Sequence, residues 1–307
     1  MNITNIEKDL LKIIADMDGT PTGAFNIRAN GALAERKVTE NIDIKNKEDG
    51  KGIIVTVRPD TRGETVHIPV VVNATDFTDL VYNDFIIGEN ADITIMAGCG
   101  IHNCGEGDSG HDGIHTFFVG KNAKIKYIER HYGEGDGNGK NIMNPTTVIN
   151  IAEGGYMEME TTQIKGIDST NRITTANLDS DATLVIKEKL MTHGVQRADT
   201  DFTVNLNGEG SGANVISRSV AKDKSFQMFK SNINGNALCS GHTECDAIIM
   251  DKAKVCAIPE INANHIDASL IHEAAIGKIA GEQLTKLMTL GLTEQEAEEQ
   301  IVNGFLK

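Results

Sequence analysis

The chain has 307 residues, 39% hydrophobic and 24% charged, the balance of a soluble globular protein with one large domain or a domain and an appendage. Its 44 acidic and 29 basic residues give a formal charge of −15, which disfavours nucleic-acid phosphates and anionic membrane surfaces as partners. No apolar run reaches the roughly 20 residues of a membrane helix. No signal-peptide pattern opens the chain, and its five cysteines imply reduced thiols in the cytoplasm.

In chain order, residues 1–20 read as an N-terminal helix. Ile6, Leu10, Ile13, Ile14 and Met17 recur at helical spacing, Thr4 and Glu7 suit a capping box, and Asp18–Pro21 ends the segment. Residues 21–270 read as the core of a parallel β-helix. Short β-branched runs such as Gly52–Val57, Ile68–Val72 and Val148–Ile151 alternate with Gly, Asn and Asp turns. One unit repeats: a polar turn, a small residue, then alternating apolar residues. The small residues are Ala91, Ala123, Gly155, Ala182, Ala213 and Ala253, at separations of 32, 32, 27, 31 and 40. A drifting repeat of short strands implies a solenoid, although an irregular antiparallel sandwich would show similar turns. Residues 271–307 turn helical. Ile276, Ile279, Ala280, Leu284, Leu287 and Met288 form one face; Thr293 and Glu296 cap a second helix that carries Ala297, Ile301 and Phe305.

Two glycine-rich stretches do not read as phosphate loops. Gly105–Gly110 matches G-x-G-x-x-G, but no helix follows to aim its amides at a pyrophosphate, and Gly139–Lys140 lacks the remainder of a P-loop. Hydrolysis of ATP by this chain is not expected. Cys99, His102, Cys104, His111 and His115 form a dense set of soft donors: a metal site, or a turn with incidental Cys and His. Cys239, His242, Cys245, Cys256, His265, His272 and Glu273 form a second set, in which Cys256 reads as a small core hydrophobe.

Around that second set the chain resembles the SufB/SufD family. Glu244–Cys–Asp246, Pro259–Glu–Ile261 and His272–Glu–Ala274 follow the family's C-D-S, P-x-I-E and H-E-A succession. Gly277–Leu284, Gly291–Ala297 and Ile301–Phe305 (I-V-N-G-F) continue it, so the match covers about residues 240–307 and extends more weakly upstream. The resemblance implies a right-handed parallel β-helix whose C-terminal helices dock on an ABC-type ATPase, SufC. It further implies a paired scaffold, not an enzyme, that builds a transient iron–sulfur cluster from iron for delivery to apo-proteins.

Carried over, the cluster residues are Cys245 and Glu273 with His272 adjacent. Gln163 matches a polar tunnel position, and the docking residues are Ile276, Leu284, Leu287, Ile301 and Phe305. His131 stands where SufB has a sulfur-accepting Cys, so a relay of sulfur through the β-helix is an open point; Cys99 and Cys104 are the available substitutes. The short length resembles the minimal form, a homodimer with two ATPase subunits. Two other readings compete: a zinc adaptor using Cys99, His102, Cys104 and His111, and a carbohydrate-active β-helix. The second is disfavoured by four Tyr and no Trp to stack on sugars.

Overall fold

A computed structural model describes residues 4–307; residues 1–3 of the expected N-terminal segment lie outside the described residues. The chain opens with helix α1 (Asn5–Ala15), then two antiparallel hairpins, β1 (Ala24–Ala29) with β2 (Ala32–Lys37) and β3 (Ile42–Asn46) with β4 (Ile53–Val57). There follow β5 (Arg62–Val72), β6 (Phe77–Ile87), β7 (Asp92–His102), β8 (Ser109–Val119), β9 (Lys124–Glu134), β10 (Asn141–Met143) and β11 (Thr146–Ile151). The next are β12 (Tyr156–Lys165), β13 (Ser169–Leu178), β14 (Thr183–Thr192), β15 (Arg197–Leu206) and β16 (Gly212–Ala221). The last are β17 (Phe226–Gly235), β18 (Ser240–Ile249), β19 (Lys254–Ala263), β20 (Ser269–Gly277) and helices α2 (Gly281–Thr289) and α3 (Glu294–Phe305).

From β5 onward successive strands alternate between two sheets, with β10 and β11 sharing one place, so each pair makes one turn of a parallel β-solenoid of about 8 turns. The first sheet runs β2-β1-β5-β7-β9-β12-β14-β16-β18-β20; the second runs from β3 and β4 through β6, β8, β10/β11, β13, β15 and β17 to β19. Every second side chain points inward. In the second sheet Phe85, Phe117, Ile149, Ala176, Val204 and Ile233 stack in one inward column. Each fully buried side chain of this size contributes about 1.5–3 kcal/mol.

The repeat has a backbone cause. Asn90, Asn122, Gly154, Asp181 and Gly210 all take positive φ, a left-handed conformation that Asn, Asp and Gly tolerate best. A small residue then tucks beneath the turn. Strand register makes those residues Ala91, Ala123, Gly155, Ala182, Ser211, Cys239 and Ala268. Two members of the sequence repeat are thereby corrected. Ala213 lies inside β16, two residues past Ser211, and Ala253 precedes β19 in the other sheet.

Three helical readings also shift. The Thr4–Glu7 capping box forms, but α1 buries Leu10, Leu11, Ile14 and Ala15 while Ile6 and Ile13 stay exposed. Ile276, expected on a helical face, lies in β20, because the strand pairing of β18 continues through Ile248↔Gly277. In α3 the residues buried are Ala297 and Val302, one position round from Ile301. Val302 and Leu306 pack on Val220 and Met250, so α3 lies along the side of the solenoid.

The Gly105–Gly110 stretch runs directly into β8, not into a helix. Its glycines have a packing reason. Loops of successive turns stack there, and a Cβ on Gly139 would fall 1.9 Å from the Gly107 carbonyl oxygen.

Candidate functional site

Register places a column of polar residues inside the solenoid, in the first sheet: Glu129 (β9), Thr161 (β12), Glu188 (β14), Ser217 (β16) and Cys245 (β18). The adjoining inward column holds Cys99, His131, Gln163, Leu190 and Ser219. Arg172, from β13 opposite, bonds Glu129 and His131 and lies 3.8 Å from Glu188. Burial alone would raise the Glu129 carboxyl, but Arg172 and His131 outweigh it and hold it well below its usual range. Glu188 in turn accepts from Thr200 (3.0 Å) and Ser217 (2.7 Å). Hydrogen bonds thus link His115 through Tyr127 and Glu129 to Arg172, and the 3.8 Å ion pair of Arg172 with Glu188 carries the line on to Ser217.

Cys245 ends it, beside Ser217 and one strand from the last of the sheet. Its side chain is buried, and burial, with Glu188 and Asp246, pushes its thiol up to about 12. At neutral pH it carries its proton, which a metal ion must displace to bind. His272, on β20, also faces inward and bonds Thr243 through Nδ1; burial, then His242, lowers its imidazole.

Glu273 points the other way. It pairs with Glu244 across β18 and β20, on the outer face. His242 Nε2 lies 3.4 Å from its carboxylate, and Asn214 holds His242 Nδ1 at 3.0 Å. Among the described residues, His242, Glu244 and Glu273 are the set whose metal-type donor atoms converge, all within 4.8 Å of one another. An imidazole with two carboxylates suits ferrous iron and similar divalent ions. Burial and Asp246 raise the Glu244 carboxyl, so an arriving cation would relieve a crowded pair of acids. Within one chain, then, Cys245 and Glu273 sit on neighbouring strands but on opposite faces of the sheet. His242 and Glu244 join Glu273 through register, which spacing alone does not reveal.

The first soft-donor set divides in the same way. Cys99, His111 and His115 point inward and, with His131 and Glu129, line one small cavity. His111 Nδ1 is buried without a hydrogen bond, 3.4 Å from Asp79. Burial raises the Cys99 thiol well above its usual value and takes His115 down to about 4. His102 and Cys104 lie outside that cavity, so the four residues of the zinc-adaptor reading do not surround one point. Cys256, read as a core hydrophobe, faces outward beside Met228 and is half-buried. His265 lies in the turn before β20, near Asp267.

Of the docking residues, Leu284 and Leu287 are half-buried on α2, a helix that buries none of its residues; Ile301 and Phe305 are half-buried on α3. Among the described residues no strand follows β19 and β20 in either sheet, and Ile258, Ile261, Ile271 and Ile276 are exposed on these two strands. Among the described residues no helix is long and apolar enough to cross a membrane.

Comparison with known proteins matches residues 71–305 to the SufBD core domain of the SUF system for FeS cluster assembly. An iron–sulfur cluster assembly SufBD family protein of Archaeoglobus fulgidus is 33% identical over 74% of this chain and 60% of its own length. A SufBD family protein of Methanocaldococcus jannaschii is 32% identical over 78% of this chain and 76% of its own length. A longer relative, from Mycobacterium bovis, is 25% identical over 80% of this chain but only 29% of its own length. The chain therefore spans between about a third and three quarters of these relatives. With a parallel β-solenoid, a C-terminal helix pair and a family match over most of its length, this chain belongs to the SufBD family of iron–sulfur cluster assembly proteins.

Proposed function

We propose that this chain is a cytoplasmic scaffold subunit on which nascent iron–sulfur clusters form, two copies pairing through the uncovered end of the solenoid. The observation that carries the reading is a juxtaposition: the inward polar column ends at Cys245 one strand from that end, beside the outward His242–Glu244–Glu273 set. In this reading iron enters on the outer imidazole and carboxylates, hard and exchangeable donors, while sulfur is held at Cys245 with His272 beside it. Stable clusters usually have four thiolate ligands; a site with one per chain holds its cargo loosely enough to pass it to apo-proteins.

Edge strands β19 and β20 supply unpaired backbone for a second copy. Because the two donor groups face opposite sides of one sheet, the cluster needs movement of β20 on pairing, or ligands from both copies. A SufC-like ABC-type ATPase docked on Leu284, Leu287, Ile301 and Phe305 would drive that movement, so ATP hydrolysis belongs to the partner. Gln163, one strand on from His131, belongs to the interior polar path. The test is anaerobic reconstitution with ferrous iron and sulfide. The reading expects a visible cluster chromophore in the native chain and its loss in C245A, with the fold retained by circular dichroism. A chromophore of native intensity in C245A refutes it.

A further inference from the structure

The outer face of the first sheet changes sign along its length. In register, one outward column runs Thr162 (β12), Lys189 (β14), Arg218 (β16) and Asp246 (β18). The next runs Glu160, Lys187, Ile216, Glu244 and Glu273. Cations on β14 and β16 therefore border the acids of β18 and β20, in a chain whose acids outnumber its bases by 44 to 29. The end of α3 closes one side of this patch. Lys189 Nζ donates to the main-chain oxygen of Lys307 at 2.9 Å, and a cavity of about 300 Å³ lies between Lys307 and strands β12, β14 and β16.

The lining is set for an anion. Lys187, Lys189, Arg218 and Lys307 line the cavity together with Thr162 and Ile216. Two acids share the lining, and both are committed elsewhere. Glu160 accepts from Lys126 at 3.1 Å, and Glu188 faces the interior, where Thr200 and Ser217 bond it. Lys187 reaches Glu158 at 3.2 Å, but among the described residues the nearest carboxylate to Arg218 is Glu244, at 4.0 Å. A guanidinium with so distant a partner offers its fork to a carboxylate or a phosphate. Ile216 adds an apolar surface that a bare inorganic anion does not use and a short carbon skeleton does. Among the described residues no aromatic ring lines the cavity, so nothing there stacks on a nucleotide base. Its volume lies at the small end for ligand pockets.

We propose that this cavity binds a small aliphatic di- or tricarboxylate, with Arg218 holding one of its carboxylates beside the His242–Glu244–Glu273 set. Arg218 belongs to both places, lining the cavity and facing Glu244. On the assembly reading, the anion is the carrier of ferrous iron. The chelate docks by a carboxylate, and the metal passes by ligand exchange. Each anion oxygen that leaves iron is replaced by His242 Nε2 or by a carboxylate oxygen of Glu244 or Glu273. Iron stays ferrous throughout, and the emptied carrier leaves the cavity. The carrier role rests on the assembly reading; the binding of the anion does not.

The test starts with the full chain free of iron. Equilibrium dialysis with radiolabelled citrate at low ionic strength should show saturable binding that added salt weakens. R218Q and K189Q should each raise the Kd about tenfold, the loss expected for one charge-assisted hydrogen bond. E244Q should leave it unchanged or lower it, and circular dichroism checks that each variant keeps the fold. Absence of saturable binding, binding indifferent to R218Q, or displacement by orthophosphate at lower concentration than by unlabelled citrate would each overturn the proposed site. Delivery is then followed with radioactive ferrous iron. R218Q should take iron more slowly than the native chain from ferrous citrate, yet at the native rate from the free ion, whereas H242Q should lose both. Equal uptake from citrate by R218Q and the native chain would overturn the carrier role while the anion site stands. Failure of the native chain to hold free ferrous iron would count against the assembly reading and leave the dialysis result intact.

Discussion

The two ends of the solenoid are finished in opposite ways. At the start, the β1–β2 and β3–β4 hairpins close the sheets with antiparallel pairs, and α1 crosses the outer face of β5, β7 and β9. Gly98 lets that helix touch the sheet backbone, for a Cβ there would fall 2.5 Å from the Ile14 carbonyl oxygen. At the far end, β19 and β20 are left as edge strands among the described residues, while α3 packs to one side. A bare edge with isoleucines beside it invites pairing, and proteins normally cover such edges. One end is therefore capped, and the other presents two edge strands with exposed isoleucines. The site residues cluster near the second.

The comparison can be broken first in the middle, where the interior is polar. Arg172→Met removes the cation that the buried Glu129 and Glu188 share and should cost about 3–5 kcal/mol in urea unfolding. A loss within experimental error would mean that the column is wet and already screened. At the capped end, Gly98→Ala should cost about 1–3 kcal/mol and release α1 to proteolysis, because the clash is with backbone and with Ile14.

His115 supplies a pH test. Burial, opposed by Glu129, lowers its imidazole to about 4 against an unfolded value of 6.5. The unfolded chain thus binds the extra proton between those values. The contribution is complete above pH 6.5 and is lost as pH falls toward 4, at up to about 1.4 kcal/mol per pH unit. His115→Gln should flatten that part of the stability profile. The smallest effect on stability belongs to the open end. Ile271→Lys should leave unfolding within about 0.5 kcal/mol of native yet prevent self-association in sedimentation. Equal dimerisation by both proteins would remove the distinction between the ends.

Much of the fold was legible because the solenoid writes its turns locally. Asn90–Ala91 and Asn122–Ala123 announce a left-handed turn over a small residue, and the alternation after them sets the inward face. The signal faded where turns shortened: Ser211 and Cys239 hold the small position without looking like alanine, so the repeat was misplaced onto Ala213 and Ala253. Ile276 was read as helical because the apolar spacing of β20 runs on into α2.

For the site, motif order found Cys245, His272 and Glu273, but facing depends on register between strands nearly thirty residues apart. That is why Glu273 is joined to His242 and Glu244, and why Cys99 parts from His102 and Cys104. Arg172 carries a signal of its own, a charged residue at an inward position between Thr170 and Thr174.

The most direct measurement is iron anomalous scattering from anaerobic crystals of the reconstituted protein, grown with a SufC-like ATPase added. The account expects iron within bonding distance of a Cys245 sulfur and a Glu273 carboxylate, from the same or the paired chain. Iron found in the Cys99 cavity, or on the outer face with every Cys245 still sealed inside, would contradict it.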